Sequence, residues 1–448
     1  MKKTWKYLYA ALFLFLCLIP SLGLLSGHQE TSSENRTLSG LPVLKGEDGW
    51  NSRYLQQMGD YFQEHFAFRN ELVTANAWIF DNIGGISSAD GVITGTDGWL
   101  YYKDSLEDFQ GTDQLSDRAL FDIAHTLSMI QDYTNESGIR FLFAVAPNKN
   151  SLYGENMPYY YQIKESEENN FSRLLPFLEK EGVHYVNLHQ IFREQEEILY
   201  HKRDSHWNNK GAALAADTMM TALGKEHFSY VNASCTIRKD FTGDLDQMLY
   251  PAAMTPEEEY YYDPEPSFTY VGDVTSNFDP HIQTEGAGQG SLVMYRDSFC
   301  NALLPFFSEA YGNAFYSRGI PYQLSNLTQY QADTLIIERA ERFLPDTAAN
   351  PPVMDAPLAE PCVSDILPDN TVSEVALETT GMYTKISGIL DSSCLETSSR
   401  ILVQTSDTAM YEAFPVHTKN DQEGFILYLP ASETASLSSG QLTFFLSE

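Results

Sequence analysis

Ser291-Leu292-Val293-Met294-Tyr295-Arg296-Asp297-Ser298-Phe299 starts as a continuous apolar strand and passes through three polar residues into the apolar start of a helix. A strand that is apolar along its length is buried on both faces, the habit of parallel sheets covered by helices. The pattern recurs outward. Phe141-Leu142-Phe143-Ala144-Val145 is a short apolar strand closed by Pro147, and Thr334-Leu335-Ile336-Ile337 is another. Val183-His184-Tyr185-Val186 reads as a further strand. Helical spacing falls at 115–135, between a Ser116 start signal and Gly138, and at 166–181, with Gly182 beyond it. It falls again at 188–198, at 209–223 and from about 298. Strands alternating with helices predict an α/β fold around a parallel sheet. Residues 251–290, with Tyr260-Tyr261-Tyr262 and several Pro and Gly, read as an insertion at the sheet's margin.

The flanks differ in rhythm. Tyr54, Met58, Tyr61, Phe62, Phe66 and Leu72 recur at helical spacing, with a break expected near Phe66. Val92-Ile93-Thr94 and Trp99-Leu100-Tyr101-Tyr102 flank a Thr-Asp-Gly turn and predict a β-hairpin. Six of the 20 prolines fall between Pro345 and Pro368 and mark a linker. Beyond it, short runs such as Ile401-Leu402-Val403-Gln404 and Phe425-Ile426-Leu427-Tyr428, with no helical spacing between, predict a small β-sandwich. The expected division is an N-terminal signal anchor or signal peptide over 1–27 and a juxtamembrane linker and helix over 28–85. The α/β domain follows over 86–345, the Pro-rich linker over 346–370 and the β-sandwich over 371–448.

The 448 residues hold 28 Lys+Arg against 61 Asp+Glu, a formal net charge of −33. Nucleic acid is excluded as an expected partner, because no Lys/Arg-rich stripe is present to meet phosphates. Hydrophobic residues at 43% and charged ones at 20% exclude wholesale disorder. Lys2, Lys3 and Lys6 directly precede the uncharged run from Tyr7 to Leu25. That run is close to the ~20 residues a helix needs to cross a bilayer. It exceeds the ~7–15 residues of a signal-peptide core, so an uncleaved anchor is favoured over a cleaved, secreted form. Positive residues in front place the rest of the chain outside the membrane. Without those three lysines the remainder is more acidic still, which suits a neutral or zwitterionic partner better than an acidic polymer. Cys362 and Cys394 share the C-terminal region and are either a disulfide or buried thiols; no C-x-x-C pair is present.

Two short stretches carry the chemistry. In Arg203-Asp204-Ser205-His206-Trp207-Asn208 an Asp two residues before a His can accept the imidazole Nδ1–H, which leaves Nε2 outward as a general base. Trp207 is placed to wall the site. Ser298, at a strand-to-helix turn, stands at the carboxyl edge of the sheet, where α/β folds bind their ligands. It is the candidate nucleophile, with the Phe299 N–H as an oxyanion donor. The ordinary alternative for Ser298 is a helix N-cap. Lys149, at the end of a strand, either meets an anionic or hydroxyl-rich substrate or is simply a solvated charge. Gly286-Ala287-Gly288-Gln289-Gly290 precedes a strand instead of following one, so it is not read as a phosphate loop. His201, Asp204 and His206 are metal-ligand types, but no H-E-x-x-H or comparable ligand spacing supports a metal site, and neither metal nor cofactor is expected.

Asp204-Ser205-His206-Trp207 resembles the signature of the DHHW proteins, relatives of the alginate O-acetyltransferases with SGNH-hydrolase-like domains. Ser33-Glu34-Asn35-Arg36-Thr37-Leu38, the stretch from Tyr61 to Arg69, Gly95-Thr96-Asp97-Gly98-Trp99-Leu100, Ala146-Pro147-Asn148-Lys149, Gly243-Asp244-Leu245 and Arg296-Asp297-Ser298-Phe299 fit the same resemblance. It implies a permuted SGNH-hydrolase-like, flavodoxin-like three-layer domain, with Asp204, His206 and Ser298 in the triad positions. Ser205 stands where the signature has a second His, a harmless change if its side chain points away from the triad. Arg296 replaces the Gly of the usual Gly-Asp-Ser. The family's Asn oxyanion donor is not identifiable in the sequence; Arg342, after the strand ending at Ile337, is the candidate substitute, with a structural salt bridge as its ordinary alternative.

The resemblance implies an extracytoplasmic O-acetyltransferase acting on hydroxyls of a cell-surface polysaccharide through an acyl-enzyme. A membrane acyl-transfer protein would supply the acetyl group, and the C-terminal domain would hold the glycan. A carbohydrate acetylesterase with the same triad and a non-catalytic glycan-binding or assembly protein are the alternatives.

Overall fold

The computed structural model describes residues 2–25, 39–46, 49–84, 87–359, 365–368, 371–405, 409–418, 420, 422–434 and 437–447. The N-terminal run forms helix α1 (Lys2–Leu25), and its described side chains, at positions 4–15 and 18, are exposed. Among the described residues no helix is long and apolar enough to cross a membrane; the described side chains of α1 stop well short of Leu25. A ribbon of β1 (Lys45–Gly46) and β2 (Gly49–Trp50) leads into α2 (Tyr54–His65) and α3 (Arg69–Gly84). The helix breaks at Phe66–Phe68, where Phe66 is extended and Phe68 takes φ +63°. β3 (Val92–Thr94) and β4 (Leu100–Tyr102) form the expected hairpin. Its turn has Asp97 at φ +51° and Gly98 at φ +81°, the left-handed pair that tight hairpin turns require.

The central sheet has the order β6-β5-β13-β11-β12-β10-β9. β5 (Arg140–Ala146), β6 (Tyr185–Val186), β11 (Ser291–Tyr295), β12 (Asn313–Ser317) and β13 (Thr334–Ala340) run parallel. Alternate residues go to opposite faces. Phe141, Phe143, Val145, Val293, Tyr295, Leu335 and Ile337 pack under α5 (Asp117–Glu136) and α7 (Asn170–Lys180). Leu142, Ala144, Leu292, Met294 and Ile336 pack under α8 (Leu188–Arg193), α9 (Asn209–Ala222) and α11 (Cys300–Ala310). The result is three layers, helix on sheet on helix. The side chains of Ser116, Asn169 and Asn208 accept from the first turns of α5, α7 and α9 and fix where each helix starts. α9 lies close because Ala212, Ala213, Ala215 and Ala216 face inward, and a Cβ on Gly211 would meet the Leu199 carbonyl at 2.5 Å.

The structure corrects several sequence expectations. The sheet is not wholly parallel: β10 (His281–Gly286) pairs antiparallel with β12, and β9 (Phe268–Tyr270) with β10. The marginal insertion thus supplies an edge of the sheet, and β12 was not read from the sequence. The helices expected at 166–181 and 188–198 are shorter, Asn170–Lys180 and Leu188–Arg193: the Asn169 cap sets a later start for the first, and the second starts as expected after Asn187 but ends at Arg193. Outside the sheet, β7 (Cys235–Phe241) pairs with β8 (Glu257–Tyr262). The short helices α4 (Leu106–Gln110), α6 (Lys149–Tyr153), α10 (Asp244–Leu249), α12 (Ser325–Gln329) and α13 (Leu344–Ala349) fill the connections.

The C-terminal strands are β14 (Asp365–Ile366), β15 (Val372–Thr380), β16 (Tyr383–Leu390), β17 (Arg400–Gln404), β18 (Met410–His417), β19 (Glu423–Pro430) and β20 (Thr443–Ser447). They run antiparallel in the order β14-β20-β17-β18-β19-β16-β15. β18 pairs with β17 over Met410–Ala413 and with β19 over Phe414–His417. It thereby hands one half-sheet to the other and folds them over a core of Ile386, Ile401, Val403, Phe425 and Leu427 as a half-barrel. This domain docks on α5. Phe414 joins the core beneath α5, Arg118 Nη1 donates to the Ser399 carbonyl at 2.6 Å, and His125 bridges Glu181 (2.7 Å) and Glu412 (2.8 Å). Cys394 is an exposed free thiol, and Cys362 lies outside the described residues.

Candidate active site

The loop from Leu199 to Asn208 closes as a narrow hairpin. Tyr200 bridges to Trp207, and the Asn208 N–H donates to the Leu199 carbonyl at 2.9 Å. Its tip carries Asp204-Ser205-His206 and is clamped from several sides. Lys149 Nζ, buried at the start of α6, donates to the carbonyls of His201 (3.1 Å), Lys202 (2.9 Å) and Asp204 (2.5 Å). The Glu257 carboxylate accepts from the Lys202 and Arg203 N–H groups, both at 2.8 Å. A Cβ on Gly243 would meet the Arg203 carbonyl at 2.2 Å, so glycine permits that segment to close on the loop.

Asp204 Oδ1 accepts from the His206 backbone N–H (2.8 Å) and lies 2.7 Å from His206 Nδ1; Oδ2 accepts from the Asp244 N–H at 2.7 Å. His206 Nε2 lies 2.8 Å from Ser298 Oγ. Burial opposes the charge on both acid and base, yet the pair overcomes it. Asp204 is held below the usual carboxylate range by His206 and its N–H donors, and His206 is raised by Asp204 and then Asp244. Ser298 does not act as the N-cap of α11; that position is Phe299, with no side-chain cap.

The segment carrying Ser298 is fixed from below. Asp297 accepts from the Phe299 N–H (2.9 Å) and the Ala340 N–H (2.5 Å), and its own N–H donates to Glu338 Oε2 at 3.1 Å. The Phe299 N–H is therefore spent on Asp297, which removes it as the expected oxyanion donor. Arg296 is buried and turned away from Ser298. It donates to Asn301 Oδ1 (2.7 Å) and to the carbonyls of Asn277 (2.9 Å) and Asp279 (3.2 Å). Trp207 lies beneath the site instead of walling it, with Nε1 donating to the Phe299 carbonyl at 3.1 Å and its ring edge-on to that of Phe299. Lys149 is committed to the loop carbonyls and does not face a substrate; burial brings its pKa down to about 8.

Arg342 is partly buried, its guanidinium 5.4 Å from the Phe299 ring and 5.3 Å from the Tyr102 ring. Its Nη1 donates to Asn148 Oδ1 at 3.3 Å. Two buried donors there, Arg342 Nε and Asn148 Nδ2, have no hydrogen-bond partner among the described residues. Asn148 and Arg342 meet because β5 and β13 pair Ala146 with Ala340, and each residue lies two positions beyond its strand end. The sequence reading missed Asn148 and Asp244 as site residues, although both sit in the quoted stretches Ala146–Lys149 and Gly243–Leu245. Ser205 also departs from expectation. Its hydroxyl faces the site, donating to Asp244 Oδ2 at 2.5 Å and lying 3.2 Å from His206 Nδ1. Asp204, His206 and Asp244 bring ligand-type atoms within 4.8 Å of one another. These atoms are taken up by one another and by N–H and hydroxyl donors in a hydrogen-bonded relay.

A three-layer α/β domain with acid, imidazole and hydroxyl in line at the carboxyl edge of its sheet is SGNH-hydrolase-like. Residues 92–272 match the family model described as ALGX, SGNH hydrolase-like domain, acetyltransferase AlgX, so the chain carries an SGNH-hydrolase-like domain. The match includes Asp204, His206 and Asp244 and ends before Ser298. Among solved structures, Bacillus cereus PatB1 is 15% identical with a TM-score of 0.44, over 56% of this chain and 96% of its own. A DHHW family protein from Eubacterium siraeum DSM 15702 is 16% identical with a TM-score of 0.39, over 50% and 85%. Pseudomonas aeruginosa AlgX is 13% identical with a TM-score of 0.38, over 80% and 93%. No curated protein matches the chain.

Proposed function

We propose that the protein is an extracytoplasmic O-acetyltransferase that acetylates hydroxyls of a cell-surface polysaccharide through a Ser298 acyl-enzyme. The observation that carries this reading is the single imidazole of His206 lying 2.7 Å from Asp204 and 2.8 Å from Ser298. The match of residues 92–272 to an acetyltransferase domain supports acyl transfer as the chemistry.

In this mechanism Ser298 Oγ attacks the acetyl carbonyl of the donor as its proton passes to His206 Nε2. The tetrahedral intermediate collapses, the C–O or C–S bond to the donor breaks, and His206 returns the proton to the leaving group. A sugar hydroxyl then enters, gives its proton to His206 and attacks the acetyl-serine carbonyl; expulsion of Ser298 Oγ, reprotonated by His206, completes the transfer. Asp204 fixes the Nδ1–H tautomer and stabilises the imidazolium in both halves. Asn148 Nδ2 and Arg342 Nε are the candidate donors to the oxyanion. The uncharged run after Lys6 is the candidate N-terminal membrane anchor, a membrane acyl-transfer protein is the proposed acetyl source, and the C-terminal half-barrel is the candidate glycan holder.

The test is a serine-reactive sulfonyl fluoride on the purified protein, paired with the acetyl content of surface glycan in cells carrying Ser298→Ala at wild-type abundance. Labelling of Ser298 and loss of glycan acetylation are expected. Retained acetylation in S298A cells overturns the proposal, and labelling with acetate release to water but no acceptor product assigns an esterase instead.

A further inference from the structure

The Asp204 carboxylate is not the only acid beside His206. Asp244, the first residue of α10, turns its Oδ2 to within 3.6 Å of His206 Nδ1. Its Oδ1 accepts from the Ser205 N–H at 2.7 Å, and its own N–H donates to Asp204 Oδ2 at 2.7 Å. Asp204 therefore holds the backbone of Asp244, and Asp244 that of Ser205, in a closed bracket. The Ser205 hydroxyl fills the middle. Its one proton goes to Asp244 Oδ2, which leaves an oxygen lone pair facing the Nδ1–H of His206 at 3.2 Å.

Resting on the reading of His206 as the proton carrier, we propose that Ser205 and Asp244 are positioning residues for His206, a second acidic contact along the Nδ1 edge of the ring beside Asp204. The groups facing the imidazole are few. Asp204 on the same loop and Asp244 from α10 favour the imidazolium, whereas Arg342, beyond β13, opposes it. Lys149 acts at one remove, through the Asp204 carbonyl. Burial and the neighbouring Asp204 raise the Asp244 carboxyl, so the second acid is held at a cost. The outcome is an imidazole kept in one orientation by two anchors 40 residues apart in the chain, instead of by one short-range contact.

The experiment is the pH titration of the His206 ring by NMR on detergent-solubilised full-length protein carrying ¹³C-labelled histidine, with the resonance assigned by His206→Gln. Asp244→Asn keeps the shape and removes the charge. It is expected to lower the His206 midpoint by about half a pH unit or more and to move the pH profile of Ser298 labelling the same way. Ser205→Ala shifts both in the same direction by less, and Asp244→Glu restores them in part. An unchanged His206 midpoint in a folded Asp244→Asn protein overturns the proposal; if that variant does not fold, an unchanged midpoint in Ser205→Ala does so. Absence of Ser298 labelling in the wild type would defeat the acyl-enzyme reading alone, since the ring titration still decides this one.

Discussion

His206 Nε2 and Ser298 Oγ stand 2.8 Å apart although 92 residues separate them in the chain. One comes from a clamped loop before α9 and the other from the turn after β11, and neither needs a substrate to find its partner. Pre-formed contact of this kind removes reorganisation from the chemical step.

Ser298→Ala and His206→Ala should each lower acyl transfer by about 10³-fold or more without unfolding the protein, since Ser298 lies at the edge of the sheet and its hydroxyl caps no helix. Rates with a chromogenic acetate ester, alongside thermal unfolding, check this. In the wild type the rate should rise with pH and level off above the ordinary histidine value of ~6.5, because His206 must be neutral to accept a proton and its acidic neighbours raise it.

Asn148→Ala should reduce kcat by about 10²-fold with little change in KM, the signature of a donor used only in the transition state. Equal losses with a good and a poor leaving group would be compatible with this. A change confined to KM would instead make Asn148 a ground-state binding residue.

Lys149→Met should destabilise the protein by about 2–3 kcal/mol, because it leaves the carbonyls of His201, Lys202 and Asp204 without their shared donor. Denaturant unfolding measures the loss. The His201–Asp204 segment should also gain hydrogen exchange, since the clamp holds its backbone directly.

The docking of the two domains should depend on pH through His125. Against the cost of burial, Glu181 and Glu412 raise His125, so its contribution is complete below the ordinary ~6.5 and is lost as pH rises through the folded value. Glu412, despite its burial, is brought down to about 2 by His125 and Arg400; its contribution is present above the ordinary ~4.3 and lost as pH falls toward about 2. Stability should therefore be greatest between about 4.3 and 6.5 for this contact. His125→Ala should cost about 3 kcal/mol in that window and flatten the decline above it, as read from unfolding at a series of pH values.

Much of the architecture was legible because it is local. Apolar runs at 141–145, 291–295 and 334–337 can be buried only in a covered sheet, and Ser116, Gly138 and Gly182 punctuate helices by their own backbone preferences. The strand Asn313–Ser317 escaped because polar ends leave it three apolar residues, and its place is set by pairing with β11 and β10. Within the site, Asp204 and His206 could be paired from their spacing. The use made of the Phe299 N–H could not, since it turns on where Asp297 points.

The sequence by itself determined an α/β layering, an Asp-x-His bracket and a serine at a strand end, all fixed by contacts within a few residues. The tertiary structure decided which distant groups meet. Strand order brought Asn148 beside Arg342, the close approach allowed by Gly243 brought Asp244 beside Ser205 and His206, and docking of β18 on α5 brought Glu412 to His125. Hydrogen bonds reward sub-ångström placement, and placement between remote segments is a property of the packed fold and not of any local pattern.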